Sequence, residues 1–94
     1  MDEIVKHYRD SKTPHGHKLR VDVHDHEAII WYLFWGESDG VDDHHHMGIA
    51  RVRSSGSGFE IAWLHGTDQE PYRTERVIDS KELYAKIDAE IASR

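Results

Sequence analysis

Cysteine is absent from the 94 residues. Disulfides, thiolate zinc sites and cysteine nucleophiles are thereby excluded, and the absence agrees with a reducing compartment. Long apolar runs are absent too. No stretch reaches the roughly 18–20 residues of a membrane-spanning helix, and MDEIVKHYRD at the N-terminus lacks the basic-then-apolar layout of a secretory signal. The expectation is a cytoplasmic chain with no membrane partner. Basic charge is also scarce: 12 Lys and Arg face 18 Asp and Glu, a formal net charge of −6 with His neutral. Sequence-independent binding to a nucleic-acid backbone needs clustered cations, so nucleic acid is not an expected partner.

Motifs of catalysis are missing as well. Ser11, Ser38, Ser54, Ser55 and Ser57 lie outside any G-x-S-x-G turn, and the zincin spacing H-E-x-x-H does not occur. SSGSG at 54–58 resembles a phosphate-cradling loop only in its glycines, because the following Lys and helix N-terminus are not there. The expectation is a chain that binds rather than catalyses.

What is present makes one small domain spanning 1–94, able to bury roughly 60–70% of its unfolded surface. Nine aromatics, three of them Trp, concentrate that core into a few large side chains. At the N-terminus, Ile4, Val5 and Tyr8 suit one face of a short helix beginning at Asp2, with a short strand as the alternative. Pro14 and Gly16 mark SKTPHG at 11–16 as a loop. From Lys18 the period becomes two: Leu19, Val21 and Val23 alternate with Arg20, Asp22 and His24, as in a half-wet strand. AIIWYLFW at 28–35 follows a tight HDHE connection and reads as a central strand apolar on both faces. Residues 36–46, rich in Gly and Asp, read as a loop. MGIARVRS and SGFEIAWLHG flank SSGSG as a hairpin, and YRTERVID at 72–79 suits a short fifth strand.

The C-terminal pattern is the sharpest. Asp79 as N-cap with Glu82 at N3 forms a capping-box pair, Ile78 is placed to staple onto Leu83, and Leu83, Tyr84, Ile87 and Ile91 form one apolar stripe over 79–92. The expected fold class is α+β: a four- to five-stranded, mainly antiparallel sheet with this helix on one face. One helix cannot cover two sheet faces. Either the N-terminal segment, the long loop and sheet curvature cover the second face, or Trp31, Leu33 and Trp63 form an exposed aromatic face suited to a homodimer, since Trp buries much area with few rotatable bonds.

Nine histidines crowd three places: His15 and His17, His24 and His26, and the run His44, His45 and His46. Imidazole titrates near pH 6.5, so at that pH about half would be charged and the net charge would fall to roughly −1 or −2. An H-x-H pair on a strand puts two imidazoles on one face, which suits zinc or another divalent first-row metal. His24, His26, His44 and His46 are the ligand set of that alternative reading; the leading one needs no cofactor. Arg51 and Arg53 on one strand beside Trp63 would suit RNA stacking, but charges that blunt an edge strand explain them more simply.

The leading reading uses the acidic loop itself. Glu37, Asp39, Asp42 and Asp43, together with His44, His45, His46 and Trp35, form a candidate surface for another protein whose own surface is basic. A small, acidic, cysteine-free domain of this kind has the composition of an inhibitor or adaptor, the class that includes phage-encoded host-defence antagonists.

Overall fold

Alternation and turn chemistry produce a β-meander. The computed structural model describes the backbone of all residues but 1, 10, 15, 39, 40, 66, 67 and 94, and the side chains of those outside 2, 34–45 and 66–69 as well. A short helix α1 (Asp2–Tyr8) leads into β1 (Leu19–His24), β2 (Glu27–Ser38), β3 (Val41–Ser55), β4 (Gly58–His65) and β5 (Asp68–Val77), and α2 (Ser80–Ala92) closes the chain. The strands lie in sequence order in one open antiparallel sheet. This is the expected α+β class.

The two helices cover one face. Ile4 and Tyr8 of α1 and Leu83, Ile87 and Ile91 of α2 pack with Leu19, Ala28, Ile30, Val52, Ile61, Trp63 and Val77 of the strands. Burying these side chains, at about 1.5–3 kcal/mol for each large one, supplies the driving force for the body of the sheet. Asp79 caps α2 as expected, its Oδ1 accepting from the Glu82 backbone N–H at 2.9 Å, and Glu82 Oε2 accepts from Ile78 N–H at 3.4 Å. The staple does not form. Ile78 is 76% exposed, because Val77 takes the inward position at the end of β5 and alternation turns its successor outward.

Register assigns the two faces. Ile30, Ala50 and Trp63 lie in one row across β2, β3 and β4. A bulge then shifts β3 against β2, so that Trp31 stands opposite Gly48 rather than Ile49. Trp31 therefore belongs to the face away from the helices and Trp63 to the helix face. Trp63 is 1% exposed, donates from Nε1 to Glu75 Oε1 at 2.8 Å, and carries the Arg73 guanidinium 5.4 Å above its ring. The expected grouping of Trp31, Leu33 and Trp63 on one open dimer face is thus not formed.

The larger departure is at 36–46. Gly36–Ser38 and Val41–His46 are not a loop but the outer ends of β2 and β3. Pairing continues outward from Leu33↔His46 through Phe34↔His45, Trp35↔His44, Gly36↔Asp43 and Glu37↔Asp42 to Ser38↔Val41. The β1 register ends at Leu19↔Tyr32, and the β4 register reaches β3 only as far as Ala50↔Trp63. Leu33 still bonds Lys18 beside β1, and the five pairs beyond it form a two-stranded arm about 17 Å long, at roughly 3.3 Å per residue. The molecule is 49 Å along its longest axis and 24 Å across.

Candidate binding site

The surface around the arm and its root is built from residues that alternation leaves on the open face. Trp31 is only 9% exposed there, because Leu64 packs beside it over a glycine. A Cβ on Gly48 would lie 2.9 Å from Leu64 Cβ and 3.5 Å from Trp31 Cζ3, so the absent side chain makes room for both. The Trp31 Nε1 donor is buried and has no acceptor among the described residues. The ring edge meets His46 at 6.2 Å between centroids.

His46 is held from the other side by Arg20, whose Nη1 lies 3.2 Å from His46 Nε2. A guanidinium only donates, so Nε2 supplies the lone pair. Arg20 is fixed in turn by Asp22, Nε to Oδ1 at 3.0 Å. Trp31, His46, Arg20 and Asp22 thus form one connected cluster at the root of the arm.

Lower on the same face the charges alternate across the strands. Arg51 Nε lies 3.6 Å from Glu27, and Arg53 Nη2 donates to Glu60 Oε1 at 3.2 Å. The exposed Arg53–Glu60 pair contributes little to stability, and the Arg51–Glu27 pair is half-buried. Together they show why Arg51 and Arg53 do not make a positive strip: each guanidinium stands beside a glutamate, and both lie on the face opposite Trp63.

The proposed ligand set for a metal is split by the register. His24 pairs with Glu27 at the start of β2, and both His24 and His26 are exposed at the β1–β2 turn. His46 pairs with Leu33 and His44 with Trp35. Six and eight residues of extended strand separate those positions from Glu27, roughly 20 and 27 Å, far beyond any shared coordination sphere. Among the described residues no group of three or more His, Asp or Glu is arranged to hold a metal ion.

The acidic candidates share the arm. Glu37, Asp42 and Asp43 take positions in its outermost pairs, with His44, His45 and Trp35 next inward; their strand positions are described, and their side chains lie outside the described residues, as does Asp39 altogether. Arg20, Gly48 and Leu64 were not expected at the site. The signal for Gly48 was available: an isolated glycine within a strand pattern marks a bulge or a close approach. Leu64 needed the register, which brings it beside Trp31.

Two tyrosines near α1 are perturbed. Burial, reinforced by the hydrogen bond from Tyr8 Oη to Asp88 Oδ1 at 2.8 Å, pushes the Tyr8 phenol well above its ordinary value. Burial also raises Tyr84, helped by the charge of Glu3, and the His7 ring stacks on it at 4.0 Å. Both tie the helices together and touch none of the arm-root cluster. No described helix is long and apolar enough to cross a membrane. Comparison with protein-family models, with curated proteins and with solved structures finds no match to this chain.

Proposed function

We propose that the chain is a non-catalytic protein-binding module, an inhibitor or adaptor, that offers the β2–β3 arm to a partner protein with a basic surface. The supporting observation is the arm's own arrangement. Two-stranded ribbons are at best marginally stable in water, and this one extends past its last neighbours. Its outer end also sets like charges against each other, with Glu37 directly opposite Asp42 and Asp43 one pair inward. Such pairs disfavour the ribbon when it stands alone. A basic partner converts the same positions into attraction and speeds encounter by steering.

The test compares native-source lysate captured on the wild-type chain with capture on the triple variant Glu37→Gln, Asp42→Asn, Asp43→Asn. The reading expects one basic protein to be retained by the wild type, lost with the variant and released by high salt. Equal retention by both chains, or retention indifferent to salt, would count against it.

A further inference from the structure

We propose that the free outer edge of the arm pairs with the same edge of a second copy, giving a two-fold dimer in which each acidic arm end meets the other copy's basic corner at the arm root. The proposal uses the same arm as the partner-binding reading, but its test needs no partner protein, so the two can fail separately.

The edge is open by geometry. Leu33 N–H donates to Lys18 O at 2.9 Å, which fixes the direction of its backbone groups toward the β1 side. Backbone direction alternates along a strand, so Trp35 and Glu37 direct their N–H and C=O to that same side. There the β1 register has ended at Leu19↔Tyr32, the Lys18 bond to Leu33 being one residue further on, and Trp35 and Glu37 lie outside that register. The Phe34, Gly36 and Ser38 groups point the other way, into the ladder with β3. The open positions accept an antiparallel strand, because β1 itself is antiparallel to β2. A two-fold axis at Gly36 supplies one: Trp35 of each copy faces Glu37 of the other in hydrogen-bonded register. The residue on the axis carries no side chain to keep the strands apart.

Charge selects a second copy over an arbitrary strand. The first twenty residues hold five Lys and Arg against three Asp and Glu, whereas the rest of the chain holds seven against fifteen. That positive excess folds onto the arm root. Lys12 and Lys18 face each other across an isolated antiparallel bridge, and with Arg9 they line a recess of about 240 Å³. Lys12 against Lys18 is a like-charge pair at the root, and Glu37 against Asp42 is its opposite at the outer end. Each is unfavourable alone. In the two-fold pairing Glu37 of one copy faces Trp35 of the other, two strand positions from the Leu33 that bonds Lys18, which brings the acidic strand end toward the basic corner. An isologous contact repeats this twice.

Sedimentation equilibrium of the full chain over a wide concentration range reads the association. The expected result is a monomer–dimer equilibrium that weakens with salt. Glu37→Lys and Lys18→Glu should each raise the dimer dissociation constant roughly five- to tenfold, since symmetry removes two contacts per substitution. The double variant Glu37→Lys, Lys18→Glu should recover most of the loss, because the swapped charges again face each other. Glu37→Pro removes an outward-pointing N–H that takes no part in the β2–β3 ladder and should abolish the dimer, with circular dichroism confirming the fold. A monomer at every concentration overturns the proposal. So does a dimer unaffected by Glu37→Pro, or one that the charge swap fails to restore.

Discussion

The helix-covered body and the projecting arm are made from the same two strands, yet different forces hold them. In the body, β2 and β3 lie between β1 and β4 and bury Ala28, Ile30, Ile49, Ala50 and Val52 completely beneath the helices. In the arm the same strands have only each other, and near its end one acidic residue, Glu37, is paired with another, Asp42. Burial stabilises the first region independently of any partner. Under the proposed function, the second gains its counter-charges from a partner. The arm at 34–45 takes twelve of the 94 residues; the proposed function makes the body a platform and the arm the contact, and this difference can be broken from either end.

The largest effect is expected in the body. Trp63→Ala removes a fully buried ring and the Glu75 hydrogen bond together, and should destabilise the fold by about 3–5 kcal/mol in denaturant melts. Gly48→Ala tests the junction between the regions. Its new methyl meets Leu64 Cβ at 2.9 Å, so a loss of about 1–3 kcal/mol is expected, together with a change in Trp31 fluorescence, because the ring must shift to make room.

Titration gives a smaller and more selective signal, again from the helix side. The Tyr8 pKa is raised in the fold by burial and by Asp88, so the unfolded chain loses its proton first as pH rises. Stability should hold below the ordinary value of 10.0 and decline above it, with Tyr8→Phe flattening that decline and leaving the part due to Tyr84. Glu75 has the opposite sign. Burial alone would raise its pKa, but hydrogen bonds from Trp63 and Lys86 and the charges of Lys86 and Arg73 hold it below 4.5. Its contribution is present above about pH 4.5 and is lost as the pH falls below that, so Glu75→Gln should reduce the acid dependence of the melt.

Much of the body was legible in the sequence because its signals are local. The Asp79–Glu82 pair marked the start of α2 within a residue, and the alternation of Leu19, Val21 and Val23 marked β1. The glycines of SSGSG located the β3–β4 turn. What was not legible depends on pairing between strands. Trp31 and Trp63 look alike in sequence, and only the row Ile30–Ala50–Trp63, with Trp31 next to Ile30 on β2, sends them to opposite faces. The arm was read as a loop because Gly, Asp and His are poor strand formers. The ladder begun by Ile29 to Leu33 nevertheless continues through them, since each further pair only extends a register already set. The histidine groups suffered the same way: spacing suggested one site, and two extended strands hold its halves at opposite ends.

The smallest expected effect on folding is also the most direct test of the division between platform and contact. In the shortened chain, residues 34–45 are replaced by Asn-Gly, so that Leu33 and His46 close a tight hairpin turn. Its denaturant midpoint should match that of the full chain to within about 0.5 kcal/mol of stability, while sedimentation finds a monomer at concentrations where the full chain self-associates. A shortened chain that unfolds, or one that associates as strongly as the intact protein, would contradict the account.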